Sequence, residues 1–110
     1  MAAKFELKKA KNGQFYFNLK AGNGQIILTS EMYKGKSSAE NGIASVKKNA
    51  LQDSKFDILK TKKAQPYFVL KAGNNEVIGK SESYSSTSAM KNGIKSVRTN
   101  APKARIDDLT

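Results

Sequence analysis

Two places in this chain hold a hydroxyl, a carboxylate and a phenol close together. Ser30-Glu31 with Tyr33, and Ser81-Glu82 with Tyr84, set a carboxylate and a phenol two residues apart, a spacing at which they could meet at a strand end and pass a proton. Nothing completes an active site around them. The chain contains no histidine and no cysteine. That excludes imidazole relays, imidazole or thiolate metal sites, disulfides and cysteine nucleophiles. An activated nucleophile needs a neighbouring base and a third group to orient it, and none is present. Gly22-Asn23-Gly24 is too short to cradle a phosphate as a P-loop does. The expectation is structural: serine or glutamate bonding exposed backbone, tyrosine capping the core. No catalytic residue, metal or cofactor is assigned.

The second kind of chemistry on offer is electrostatic. Twenty basic residues face 9 acidic ones, a net charge of +11, and all the basic residues except Arg98 and Arg105 are lysines. Such a field concentrates anions and favours polyanionic partners. Lysine, a hydrated point charge, suits phosphates better than base edges, which are read chiefly by arginine. Scattered lysines also make an ordinary solvated surface, so position decides the matter.

Those positions are set by a duplication. An offset of 51 residues lays Phe5–Ala50 on Phe56–Ala101 without a gap, with about half the positions identical. Tyr16–Asn23 falls on Tyr67–Asn74, and Asn41–Val46 on Asn92–Val97. Each half alone would bury too little surface to be comfortable, so the chain is expected to form one domain, 1–110, from two repeats, 1–54 and 55–110, that share an interior.

Each repeat reads as three strands and a helix. Phe5–Lys11 alternates apolar and polar residues and meets Asn12-Gly13, a signal for a type I′ hairpin turn. Gln14–Lys20 and Gln25–Ser30 follow as the second and third strands, then Lys55–Lys60, Pro66–Lys71 and Glu76–Ser81 in the second repeat. Pro66 should open its strand, because it cannot donate a ladder bond. After Tyr33 the apolar period changes to 3.6, with Ala39, Ile43, Val46 and Ala50, then Met90, Ile94, Val97 and Ala101, on one stripe. Ser37 with Glu40 fits a capping box; Ser86, Thr87 and Ser88 offer caps to the second helix. Gly42 and Gly93, inside the helices, are expected where another backbone comes close. Ile106-Asp107-Asp108-Leu109 echoes the strand start Phe5-Glu6-Leu7 and should close the assembly, doing for the second repeat what the Phe56 strand does for the first.

The helix wheels then sort the candidate residues. One flank keeps its chemistry in both repeats: Asn41, Ser45 and Asn49 recur as Asn92, Ser96 and Asn100. Small and amide side chains of this kind let a neighbour approach, and Asn49 and Asn100 suit helix C-caps; the functional alternative is a ligand groove between the two helices. The other flank carries Lys47 and Lys48, then Lys91, Lys95 and Arg98, with Lys20 and Lys71 at equivalent hairpin ends. These seven form the candidate nucleic-acid surface. Contacts to phosphate give affinity without sequence specificity. Tyr16, Phe17, Tyr67 and Phe68 could stack bases, although strand aromatics more often fill a core.

The runs Leu19–Ile27, Ser30-Glu31-Met32-Tyr33 and Asn41–Ala50, repeated as Leu70–Val77, Ser81-Glu82-Ser83-Tyr84 and Asn92–Ala101, resemble the YegP-like family of small bacterial proteins, a domain of unknown function. The resemblance implies an α+β fold of two tandem β-β-β-α repeats, antiparallel meanders with one helix each, intertwined about a pseudo-two-fold. It carries over no activity and no site residues. The repeats depart from their shared pattern at Gly79, where the first has Leu28, and at Ser85-Ser86 in place of Lys34-Gly35.

The functional expectation is a non-enzymatic, cytoplasmic, monomeric basic module. The N-terminus lacks the apolar run of a signal peptide and no stretch approaches a membrane span. The module is expected to bind nucleic acid or another polyanion weakly and without sequence specificity. The alternative is a protein–protein or structural module using sheet edges or the Asn/Ser flank.

Overall fold

A computed structural model describes residues 3–110. Seven strands form one sheet in the order β4-β5-β6-β3-β2-β1-β7. The first repeat supplies β1 (Lys4–Lys9), β2 (Phe15–Lys20), β3 (Ile26–Thr29) and helix α1 (Lys36–Asn49). The second supplies β4 (Phe56–Lys60), β5 (Pro66–Lys71), β6 (Val77–Lys80), helix α2 (Thr87–Asn100) and β7 (Arg105–Asp108). Each meander is antiparallel, and the two join at the middle of the sheet where β3 meets β6 at Thr29↔Lys80. Pro66 opens β5, as its missing N–H requires.

Alternation of side chains sends Phe5, Leu7, Phe17, Leu19, Leu28, Phe68 and Leu70 to one face, all of them buried. Both helices cover that face with the apolar stripe read from the sequence: Ala39, Ile43, Val46, Ala50, Met90, Val97 and Ala101 are buried, and Ile94 packs against them. Neither repeat closes its own core. Helix α1 lies over β2 of its repeat and reaches β5 and β6 of the other, while α2 lies over β5 and reaches β3. The buried residues of both repeats make one cluster. Among the described residues no helix is long and apolar enough to cross a membrane.

Local readings needed correction at several points. The hairpin after β1 is a three-residue loop, not a two-residue type I′ turn. Gly13 N–H donates to Ala10 O (3.0 Å), Ala10 N–H donates to Gln14 O (2.7 Å), and only Gly13 takes a positive φ, of 83°. Asn12 serves by accepting from Gln14 N–H at 3.0 Å. Its counterpart loop places Ala64 at φ 63° where Gly13 stood. The Ser37–Glu40 capping box does not form: α1 starts two residues earlier than that box requires, with Gly35 at the N-cap and no side-chain cap. In α2, Ser86 does cap, accepting from Ala89 N–H at 3.1 Å.

The helix glycines answer to a side chain, not a backbone. A Cβ on Gly42 would meet the Tyr33 hydroxyl and lie 2.8 Å from Tyr33 Cζ; one on Gly93 would meet the Tyr84 hydroxyl and lie 2.7 Å from its Cζ. Each tyrosine ring stacks on the phenylalanine beneath it, Tyr33 on Phe17 and Tyr84 on Phe68, with centroids 6.2 and 6.3 Å apart. The closing segment also differs from expectation. The strand after α1 pairs with β5, but the strand after α2 crosses to the far side and runs parallel to β1. That parallel pairing ties the end of the second repeat to the start of the first.

Candidate functional site

The Ser-Glu-Tyr groups occupy equivalent strand ends, and in each the serine hydroxyl is engaged by backbone. Phe17 N–H donates to Ser30 Oγ (2.9 Å), whose hydroxyl donates to Glu31 O (2.8 Å); Phe68, Ser81 and Glu82 repeat the arrangement at the same distances. Burial pushes both tyrosine hydroxyls above the usual phenol range, with Glu31 and Glu76 adding to the effect at Tyr33 and Glu82 at Tyr84. These phenols hold their protons more tightly than a free tyrosine, the opposite of what a base at neutral pH needs. They serve as lids over Phe17 and Phe68.

The lysines divide between two surfaces. On the sheet face away from the helices, Glu6 is ringed by Lys20 (3.0 Å), Lys4 (3.5 Å) and Lys8 (3.7 Å), and Lys4 also reaches Asp107 at 3.4 Å. Contact with the Lys20 ammonium, helped by the fields of Lys8 and Lys4, holds the Glu6 carboxyl below its ordinary range against the opposing effect of desolvation. Lys71 pairs with Asp57 at 2.5 Å. Lys20 and Lys71 therefore do not join the helical lysines: strand alternation turns them to the opposite face, where carboxylates offset them. This face also holds Tyr16 and Tyr67, half-buried, with Lys80 Nζ 5.1 Å from the Tyr67 ring. Phe17 and Phe68 are fully buried and unavailable for stacking.

The helical layer is different. Lys48, Lys91, Lys95 and Arg98 are exposed, and Lys47 is half-buried with Nζ 5.8 Å from the Phe5 ring. Helix α2 contains no carboxylate and α1 only Glu40. Arg98 pairs with Asp53 at 2.7 Å; among the described residues Lys47, Lys48, Lys91 and Lys95 make no ion pair. Lys91, Lys95 and Arg98, spaced i, i+4, i+7, form one row along α2.

The polar flank does not look across at the other helix. Asn41, Ser45 and Asn49 face the β5–β6 hairpin of the second repeat across an open cleft of about 540 Å³, with Gly73 on the far wall and Lys48, Gln52 and Lys55 at its rim. On α2, Asn92 and Ser96 face the β2–β3 hairpin across a cleft of about 200 Å³, with Ala21, Asn23 and Gln25 opposite. The two best-retained blocks of the duplication thus meet in trans, each helix against the other repeat's turn. Asn49 is not an αL cap. It closes the last turn of α1 by donating to Ser45 O (2.8 Å) and Ser45 Oγ (3.1 Å), and Asn100 does the same to Ser96. The sequence reading missed Gln52 and Lys55, which lie outside the helices and reach the cleft only through the linker. It also missed the Glu6 cluster, although Lys4, Glu6 and Lys8 at a spacing of two were its visible sign.

Comparison with known proteins agrees with this architecture. The model of a domain of unknown function, DUF1508, matches twice, over residues 10–57 and 62–108. The chain is similar to the UPF0339 protein YegP of Yersinia pestis, 61% identical over 96% of this chain and 95% of that one. It is also similar to a UPF0339 protein of Acinetobacter baylyi, 53% identical over 100% and 99%. Two solution NMR structures superpose on it with a TM-score of 0.94 each. One is a UPF0339 protein of Shewanella oneidensis, 52% identical, covering 100% of this chain and 93% of that one. The other is the protein of unknown function yegP of E. coli, 44% identical, covering 100% and 95%.

Proposed function

The chain belongs to the DUF1508 family, a domain of unknown function, and from that premise we propose that it is a non-enzymatic basic module that binds nucleic acid or another polyanion, weakly and without sequence specificity, on its helical layer. One observation carries the reading: carboxylates pair with Lys4, Lys8, Lys20 and Lys71 on the sheet face, while Lys47, Lys48, Lys91 and Lys95 on the helices make no ion pair among the described residues. Glu6, Asp57 and Asp107 sit among the sheet lysines, whereas α2 has no acidic residue of its own and presents Lys91 and Lys95 unpaired among the described residues, in one row with Arg98, which Asp53 of the linker contacts. At 1.5 Å rise per residue that row is about 10 Å long, enough for about three phosphates at ~3.4 Å per charge along one strand. Lysine ammonium groups on an exposed helix supply affinity for phosphate without reading bases. The protein in this reading is a cytoplasmic monomer.

The test is binding of mixed-sequence RNA and DNA measured from low to physiological salt. Lys91→Ala with Lys95→Ala should reduce the slope of log affinity against log salt by about 2. Lys47→Glu with Lys48→Glu should weaken binding further, and Lys8→Ala, on the sheet face, should leave it alone. Absence of binding at low salt removes the proposal.

A further inference from the structure

The internal symmetry fails at the two outer edges of the sheet. The outer side of β1 is covered by β7, parallel and in the register Lys4↔Arg105, Phe5↔Ile106, Glu6↔Asp107, Leu7↔Asp108, and Leu109 N–H donates to Leu7 O at 2.9 Å. β4 is the counterpart of β1, yet it ends the sheet with no strand beyond it among the described residues. The apolar face registers the difference. Leu7 is 0% exposed, while Ile58, at the equivalent position and paired with buried Phe68, is 54% exposed. Leu59, on the opposite face beside Tyr67, is 43% exposed. Edge strands are commonly blunted by charge; between its Asp57 and Lys60 this one offers isoleucine and leucine, one to each face.

Charge shows the same gap. Lys4 bridges Glu6 on β1 and Asp107 on β7. Its counterpart Lys55, immediately before β4 and on the rim of the α1 cleft, is half-buried and makes no ion pair among the described residues, while Asp57 pairs with Lys71. The role that Lys4 fills on the covered edge thus has an unemployed cation in place on the open one. Lys36, which holds Asp108 on the covered side, is answered by Thr87, so only the first of the two aspartates has a waiting partner.

We infer that the outer edge of β4 is a docking edge for an extended segment of a partner protein. The segment adds parallel to β4 as β7 adds to β1, with an apolar residue opposite Phe56 followed by an acidic residue opposite Asp57, within reach of Lys55. Main-chain bonds to the open edge supply affinity, and alternate side chains supply selectivity. The backbone of the segment lies along Ile58 as β7 lies along Leu7, its apolar residue flanks Phe56, and its carboxylate takes the place that Asp107 holds beside Lys4. This surface is separate from the helical layer, so its fate is independent of polyanion binding.

The experiment is NMR titration of the isotope-labelled full chain with a synthetic peptide of residues 103–110, the chain's own β7 segment. Saturable amide shifts confined to Lys55–Lys60 are expected. Ile58→Asp should lower the affinity at least tenfold; the residue already stands half in water, so an unchanged denaturation midpoint verifies the variant's fold. Lys55→Glu should weaken binding similarly, and a peptide with lysine in place of the first aspartate should restore it. No shifts at millimolar peptide, shifts on the helical layer, or indifference to Ile58→Asp would overturn the inference. So would shifts confined to β1, which would report exchange with β7, or a concentration-dependent doubling of mass that Ile58→Asp abolishes, which would give the edge to a second copy.

Discussion

Restoring the internal symmetry at the middle of the sheet should destabilise the protein. Leu28 and Gly79 occupy equivalent positions on β3 and β6, the two strands that meet at the pseudo-two-fold. A Cβ on Gly79 would lie 2.5 Å from Leu28 Cδ2, 2.6 Å from Cγ and 3.0 Å from Cδ1. Leu28 is 1% exposed, so its side chain has no free space to swing into, and Cγ cannot move without a change of rotamer. Gly79→Ala should therefore cost about 1–3 kcal/mol by overpacking. Leu28→Ala should cost about 2–5 kcal/mol through lost burial and the cavity it leaves. The decisive measurement is Gly79→Ala in the Leu28→Ala background. There Cγ and both Cδ atoms are gone, and the alanine should be neutral or favourable by about 0.5–1 kcal/mol, the ordinary penalty for glycine in a strand. The difference corresponds to a coupling of about 1–4 kcal/mol. Denaturant midpoints at constant slope, or thermal midpoints at about 4 °C per kcal/mol for this length, would read it. If Gly79→Ala destabilised equally in both backgrounds, the two positions would not share one space and the account of the seam would fail.

Three further outcomes follow from local geometry. Ala64→Gly should stabilise by up to about 1 kcal/mol in denaturant titration, because φ 63° at Ala64 places a Cβ in the left-handed region, at a cost of about 1–2 kcal/mol that glycine's larger chain entropy only partly offsets; Gly13→Ala should do the reverse. Gly42→Ala should lose more than about 1 kcal/mol, and Tyr33→Phe should not rescue it, since the new Cβ would still lie 2.8 Å from the ring carbon and 3.1 Å from Phe17 Cε2. Acid titration of stability should show a loss beginning in the ordinary carboxylate range. Lys36 first, then Thr110, lower Asp108 from 3.8 to about 2, and Lys20 leads in lowering Glu6. Carboxyls depressed in the folded state contribute fully above their unfolded pKa and lose that contribution as pH falls through the folded one. Glu6→Gln should flatten that limb as pH falls below the ordinary glutamate range, relative to the parent, and an unchanged limb would mean that the Lys20–Glu6 contact adds nothing.

Much of this protein was readable in the chain because duplication and periodicity are properties of sequence. A second copy in register established the repeats, alternation placed Phe5, Leu7, Phe17 and Leu19 together, and the 3.6 period gave the buried stripe of each helix. The absence of histidine and cysteine limited the chemistry without any coordinates. What tertiary structure decided was everything that depends on which distant groups face each other. No local rule says that Asn41 and Ser45 look across a cleft at the other repeat's hairpin, or that Tyr33 lies on Gly42. None says that Lys20 is spent on Glu6 while Lys91 is not, or that β7 crosses to β1 and leaves β4 uncovered. Leu28 against Gly79 is the clearest case. As letters they are a mismatch between two copies; in space they are one side chain filling a volume that symmetry assigns to two.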